Sequence, residues 1–140
     1  MSIKRNAFTM IELIFVIVIL GILASVAIPK LAATRDDAHI AKGRANILAI
    51  RSGIIAERQA RMFRGNSDYI ADLETGAGLF EDVMSQPVTA KAANVAGGWR
   101  KSAADTYIFH VMGADNTFTY DDTDGTFRCT AGPHCGLLTD

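Results

Sequence analysis

The chain has 140 residues, with 14 basic and 15 acidic side chains and a formal net charge of −1. This length fits one domain, and the balanced charge argues against a nucleic-acid-binding protein, which needs a basic surface to displace counterions from phosphates. Hydrophobic residues make up 49% of the chain, but the largest of them are concentrated near the N-terminus. The remainder can therefore bury only a modest core.

The N-terminal segment is short and basic, because residues 1–7 contain Lys4 and Arg5 and no acidic residue. From Phe8 to Ile28 the chain is apolar over a length close to the ~20 residues that a helix needs to span a bilayer. Its apolar residues occur all round the helix, which disfavours a buried core helix. We predict a membrane-spanning helix whose basic side remains in the cytoplasm and whose C-terminal side is exported.

Glu12 is the one charged side chain between Phe8 and Ile28. A carboxylate deep in hydrocarbon costs about 2.5 kcal/mol or more, and neither a plain anchor nor a secretory signal cleaved after residues 25–27 gains from it. The nearest source of a compensating positive charge is an α-amino group created by cleavage just before Phe8. This reasoning favours a cut at that point over release by signal peptidase.

The stretch KRNAFTMIELI, residues 4–14, resembles the leader junction of type IV pilins and type II secretion pseudopilins, and the resemblance extends to about Asp37. It implies that a prepilin peptidase cuts between Ala7 and Phe8 and methylates the new amine of Phe8. It also implies that Glu12 pairs with the amine of an adjacent subunit during assembly. The family usually has Gly before the cut, where this sequence has Ala7, and cleavage is still expected there.

The resemblance implies four segments: a basic leader that is removed, a transmembrane and assembly helix, an amphipathic helix and a periplasmic head, over residues 1–7, 8–29, 30–64 and 65–140. Pro29 lies at the second boundary. Inside a helix, proline removes one N–H and clashes with the preceding turn at a cost of about 3 kcal/mol. We predict a kink or a local loss of helix at Pro29, with the end of the membrane helix as the alternative.

The next segment shows apolar residues in two neighbouring rows that repeat every seven residues, separated by charged positions. The rows are Ile40, Ile47 and Ile54, and Ala41, Leu48, Ile55 and Met62. This pattern predicts an amphipathic helix that ends near Phe63, before Gly65, and covers a sheet with one apolar stripe.

Residues 66–99 are predicted to be an irregular connection. Three β-branched and aromatic runs follow, Thr106–Met112, Thr117–Tyr120 and Thr126–Cys129, separated by short turn-like linkers. They predict an antiparallel meander. The fold class is therefore α+β, a long N-terminal helix packed on a small antiparallel sheet, which is also the fold that the resemblance implies.

Cys129 and Cys135 lie close together near the C-terminus. On the exported side of a membrane they are expected to form a disulfide, which contributes about 2–3 kcal/mol on a loop-entropy estimate. The alternative is a metal site with His134. A structural zinc site needs four ligands, and the fourth would come from His39 or His110.

A second candidate site is the acidic run Asp121, Asp122 and Asp124, which is similar to part of a calcium loop. Asp and Gly are also the preferred residues of a hairpin turn. No cofactor is expected, and calcium at this run is the less favoured alternative to a hairpin turn. Since no catalytic motif is found, the chain is not expected to be an enzyme.

The most favoured function is a structural subunit of a type IV pilus-like filament, a pseudopilin of a type II secretion-like system. A type IV pilin and a competence (DNA-uptake) pseudopilin remain alternatives, and a Sec-exported periplasmic binding module is the alternative of another class. The resemblance implies a single-pass inner-membrane protein with its head in the periplasm. It also implies other filament subunits, prepilin peptidase and an inner-membrane assembly platform as partners, and no nucleic acid.

Overall fold

The computed structural model describes the backbone of residues 8–140 and the side chains of residues 8–31 and 34–140. The predicted leader, including Ala7, lies outside the described residues. In chain order the elements are α1 (Met10–Phe63), β1 (Gly98–Ala103), β2 (Thr106–Val111), β3 (Ala114–Asp121), β4 (Thr126–Ala131) and α2 (Cys135–Thr139). The α+β class is confirmed. The chain divides into two compact units, one ending at Arg35 and one spanning Asp36–Asp140.

In the first unit, every described side chain from Phe8 to Leu31 is exposed. Among the described residues, α1 is the one helix that is long and apolar enough to cross a membrane. Pro29 lies inside α1, and the helix continues on both sides of it. The residue therefore neither ends the helix nor replaces it with irregular backbone, and a bend at Pro29 stays a prediction.

In the second unit, α1 packs on the sheet through Ile47, Ile50 and Ile54, none of which is more than 1% exposed. Leu48 and Ile55 of the other predicted row are 62% and 56% exposed. The prediction that both rows join the core is therefore wrong. A helix with 3.6 residues per turn directs only one such row toward a single sheet, and here it is the row that contains Ile47 and Ile54.

The sheet has four strands in the order β1-β2-β3-β4, and each neighbouring pair is antiparallel. The predicted meander is confirmed for β2, β3 and β4. Strand β1 was not predicted, and its first residues, Gly98 and Trp99, lie in the segment that was predicted to be irregular. The two-residue turn between β2 and β3 consists of Met112 and Gly113, with φ of 51° and 73°. Positive φ at both positions suits a tight hairpin, so β3 begins at Ala114, earlier than predicted.

Six aromatic side chains form the centre of the core, and each is at most 1% exposed: Phe80, Trp99, Tyr107, Phe109, Phe118 and Phe127. Phe80 comes from the connection between α1 and β1, where its φ is 63°. Its ring centroid lies 5.5 Å from that of Trp99 and 4.6 Å from that of Tyr107. The connection is therefore part of the core and not a peripheral loop.

A disulfide joins Cys129 in β4 to Cys135 at the start of α2, with the two Cα atoms 5.7 Å apart. The predicted bond is confirmed, and the alternative zinc site is wrong because both thiols are consumed. The same bond holds α2 beside the sheet, where Leu138 is 1% exposed. Asn116 is fully buried, and its Oδ1 accepts a hydrogen bond from the His134 N–H at 2.9 Å. This bond fixes the loop between β4 and α2.

Candidate functional site

The first turn of α1 contains a reciprocal pair of hydrogen-bonded residues. The Glu12 N–H donates to Thr9 Oγ1 at 3.3 Å. In return, the Thr9 N–H and hydroxyl donate to Glu12 Oε2 at 3.3 Å and 3.4 Å. This is the capping box of the pattern Thr-x-x-Glu, which satisfies N–H groups that have no partner within the helix.

Thr9 was not among the predicted site residues. The signal was present, since a Thr followed three residues later by Glu just before an apolar run is a recognised pattern for the start of a helix. Glu12 was assessed only for its charge, and its local hydrogen-bonding role was missed.

The surroundings of Glu12 are apolar and open. Phe8 is 72% exposed and Ile11 is 76% exposed, so the carboxylate lies at the end of an apolar surface that the described chain does not cover. It also lies in the first helical turn, where the helix dipole favours a negative charge. No hydrogen bond to Glu12 Oε1 is present among the described residues, so this oxygen is available to a further donor.

The arginines of the second unit, which were predicted to be surface charges between the apolar rows, hold the head together. Arg44, Arg51 and Arg58 follow one another at intervals of seven residues. Through Nε they donate to the carbonyls of Leu137, Phe127 and Ser67 at 2.6, 3.0 and 3.3 Å. They therefore tie α2, β4 and the segment after α1 to one side of the helix.

The three carboxylates proposed for calcium lie at the turn between β3 and β4: Asp121, Asp122 and Asp124. Asp121 Oδ1 accepts the N–H and hydroxyl of Thr123 at 3.0 and 2.6 Å, and these bonds lower the pKa of Asp121. Asp124 Oδ2 pairs with Arg128 at 2.8 Å. Over residues 8–140, no group of three or more His, Cys, Asp and Glu side chains is placed to hold a metal ion. Calcium binding at this turn stays the less favoured alternative.

Two other carboxylates in the head are paired with cations. Asp115 accepts a hydrogen bond from His110 Nδ1 at 2.7 Å and pairs with Arg100; the His110 bond is the main reason that the pKa of Asp115 is lowered. The mostly buried Glu74 accepts the Tyr107 hydroxyl at 3.0 Å and pairs with Lys101, and that pairing raises the pKa of Lys101. The interactions of Asp115 and of Glu74 both stabilise the sheet.

Residues 3–28 match the family described as the prokaryotic N-terminal methylation motif. The type II secretion system core protein G of Dickeya chrysanthemi is 32% identical over 86 residues, which are 61% of this chain and 50% of that protein. The chain spans about half the length of the curated relative that it matches. No solved structure gives a significant match to it.

The matched motif includes Phe8, Thr9 and Glu12 and runs to the end of the apolar stretch at Ile28. The capping box is therefore part of the motif, while the aromatic core and the disulfide lie outside it.

Proposed function

We propose that this chain is a subunit of a type IV pilus-like filament, in a system that resembles type II secretion. The methylation motif over residues 3–28 and the similarity to a secretion system core protein support this proposal. A prepilin peptidase removes residues 1–7 by cutting between Ala7 and Phe8, and the new amine of Phe8 is methylated. Before assembly, residues 8–29 cross the inner membrane and the head lies in the periplasm. The chain then assembles with copies of itself and related subunits at an inner-membrane platform.

One observation carries the proposal: a single carboxylate, Glu12, lies in the first turn of an apolar helix whose side chains are exposed. In a bilayer, lipid covers residues 8–29. In a filament, the helices of neighbouring subunits replace the lipid, and Glu12 is then surrounded by apolar groups. A charge in such surroundings is stable only beside a partner of opposite sign. The α-amine of an adjacent subunit supplies that charge and sets the register between the two subunits.

Substitution of Glu12 tests this role. In Glu12→Ala and Glu12→Gln the amine of the incoming subunit has no partner in apolar surroundings. We expect at least about a tenfold loss of assembled filament, since each 1.4 kcal/mol is a factor of ten. The measurement is immunoblotting of sheared filaments from cells that contain the assembly genes.

Glu12→Asp is the matched control, because it keeps the charge and is expected to retain more filament than the two neutral variants. All three proteins should insert into the membrane and lose the leader as the unchanged chain does. Normal filament levels in Glu12→Gln would contradict the proposal.

N-terminal sequencing of the mature protein separates this proposal from an exported binding module. A start at Phe8 supports the filament subunit, whereas a start at Ile28 supports release by signal peptidase. Assays of protein secretion, surface pili and DNA uptake in a deletion strain then distinguish the secretion pseudopilin from a type IV pilin and from a competence pseudopilin.

A further inference from the structure

We infer that the free edge of strand β4 is a surface for pairing with the β4 strand of a second copy of this chain, and that Arg51 keeps this edge closed. The edge of a sheet carries backbone N–H and C=O groups that have no neighbouring strand, and such an edge pairs readily with the edge of another chain. The inference concerns the second unit alone and does not depend on the function proposed above.

Strand β4 is the last strand of the sheet, so one of its two sides has no neighbouring strand. Phe127 of β4 lies opposite Tyr120 of β3. The Tyr120 N–H donates in the other direction, to the Asp105 carbonyl at 2.8 Å. Phe127 and Tyr120 are therefore a pair that exchanges no backbone hydrogen bonds, and the N–H and C=O of Phe127 both face the open side of β4.

The Phe127 carbonyl on this open side accepts a hydrogen bond from Arg51 Nε at 3.0 Å. The guanidinium group of Arg51 therefore occupies the position from which an added strand would donate its N–H. In the described part of the chain no carboxylate pairs with Arg51, so a second copy, which carries the same arginine, meets a like charge as it approaches. Cations placed at the edge of a sheet are a common protection against pairing between edges.

A groove between α1 and β4 gives an approaching strand access to this edge. Its volume is about 330 Å³, and it is lined by Arg51 and Ile55 of α1 and by residues 125–128. Ile55 is 56% exposed, so it offers an apolar contact beside the strand. Arg51 is thus the charged group of α1 at a groove whose other α1 residue would favour association.

A second copy of the same strand fits this edge. Two identical edge strands can pair about a two-fold axis, so that each contributes the same residues to the contact. Thr126, Phe127 and Thr130 are of the β-branched and aromatic types that favour strands. The opposite edge of the sheet is less accessible, because the Trp99 carbonyl of β1 accepts the Lys91 N–H at 2.8 Å and β1 is interrupted by an irregularity.

The test replaces Arg51 in the full chain, purified in a mild detergent. Arg51→Ala and Arg51→Gln both remove the charge, and glutamine retains a good helix former at this position. We expect both variants to self-associate at least about tenfold more tightly than the unchanged chain, because two freed carbonyls can accept N–H groups of the partner strand and two like charges no longer meet. The measurement is sedimentation equilibrium over a range of protein concentrations.

Arg44→Ala is the matched control. It removes the same charge from α1, but Arg44 donates to the Leu137 carbonyl of the short helix α2 and not to an edge strand. Its self-association should equal that of the unchanged chain. Trp99 is fully buried, and its fluorescence shows in each sample that the head is folded.

Hydrogen exchange identifies the strand that pairs. The Phe127 amide faces the open side of β4, so a partner strand would protect it from solvent. In Arg51→Ala we expect its exchange to slow as the protein concentration rises. The Lys101 amide of β1 is the internal control and should exchange at the same rate throughout. Association through other exposed apolar side chains would leave the exchange of both amides unchanged.

Three results would overturn the inference. The first is that both Arg51 variants self-associate no more than the unchanged chain. The second is that Arg44→Ala associates as strongly as they do, and the third is that the Phe127 amide exchanges at a rate independent of concentration. None of these results bears on the proposed function, because the experiment contains no assembly machinery and leaves Glu12 unchanged.

Discussion

The carboxylates of this chain differ in what surrounds them. In the head, Glu74 pairs with Lys101, and Asp115 pairs with Arg100 beside His110. Glu12 has no such cation among the described residues, and its hydrogen bonds come from neutral donors on its own turn. Over the described residues, Glu12 is therefore capped by hydrogen bonds but is not neutralised by a cation.

Tyr120 is the residue from which a pH dependence of head stability follows. Its hydroxyl donates to the Ile70 carbonyl at 2.7 Å. Burial is the main cause that raises the pKa of Tyr120 to about 12, and the negative charges of Asp122 and Asp105 add to it. The folded state therefore holds this proton more tightly than the unfolded state, whose tyrosine has the ordinary value of about 10. The resulting stability is fully present below pH 10 and is lost as the pH rises toward about 12.

We expect Tyr120→Phe to lower the free energy of unfolding at pH 7 by about 1–3 kcal/mol, because the buried Ile70 carbonyl loses its donor. Between pH 10 and about 12 the unchanged chain should lose stability more steeply than the variant, so the two curves converge. The measurement is denaturant unfolding at a series of pH values, followed by the fluorescence of Trp99, the one tryptophan of the chain. Parallel curves over that interval would contradict the assignment.

At the scale of single elements, the sequence predicted the long helix and its end at Phe63 but not which side of it meets the sheet. Both apolar rows repeat every seven residues, and periodicity alone does not rank them. The positions that decide which side of the helix meets the sheet are glycines, which have no side chain. Gly43 and Gly53 lie on the packed side, and a Cβ at Gly43 would come within 2.6 Å of Phe109 Cε1. A glycine on one side of an otherwise regular helix marks a close approach, and this signal was not used.

The strand β1 and the helix α2 were missed for different reasons. Along strand β1 the residues change from buried to exposed, so the alternation that predicts a strand is absent. The glycines at its start suggested a turn. Helix α2 has five residues, which is too short for helical periodicity to show. Both depend on tertiary contacts: pairing with β2 in one case and the disulfide in the other.

Gly43→Ala tests the close approach of α1 to the sheet. The added methyl group would lie 2.6 Å from Phe109 Cε1 and 2.9 Å from Leu138 Cδ2, so core side chains must shift. Overpacking of this kind costs about 1–3 kcal/mol, which outweighs the gain in helix propensity of up to ~1 kcal/mol for replacing glycine. We expect a net loss of stability in denaturant unfolding followed by Trp99 fluorescence.

Gly136→Ala is the matched control, because its added methyl group meets its nearest neighbour, in Asp140, at an ordinary 3.6 Å. It should change the unfolding midpoint little or raise it. If Gly43→Ala were as stable as this control, α1 would not approach the sheet as closely as described.

At the scale of the whole chain, the two units are stabilised by different surroundings. From Phe8 to Leu31 the described side chains are exposed and need lipid or neighbouring helices to cover them. Among the described residues, the fully buried hydrophobic side chains lie between Ile47 and Leu138. The sequence motif supports the function proposed for the first unit, because it consists of a few residues at fixed spacing. It carried no information on the head, whose stability comes from contacts between distant parts of the chain.

This division predicts that a chain beginning at Asp36 folds by itself. It retains the whole buried core, the disulfide and the arginine bonds to the head carbonyls, and Asp36 and Asp37 would occupy the first turn of the shortened helix, where acidic residues are favourable. Since the described side chains before Asp36 are exposed in the full chain, we expect the unfolding free energy to agree within about 0.5 kcal/mol. We also expect the slope with denaturant to change little, because that slope follows the surface exposed on unfolding.

The comparison uses both chains in the same mild detergent, with the fluorescence of buried Trp99 as the signal. Ile54→Val, introduced into each chain, is the matched control: Ile54 is fully buried, so its shortening should lower both stabilities by the same 0.5–1.5 kcal/mol or so. Equal shifts would show that the two chains unfold from the same core. A shortened chain without a cooperative transition, or with a clearly lower midpoint, would show that residues before Asp36 contribute to the stability of the head.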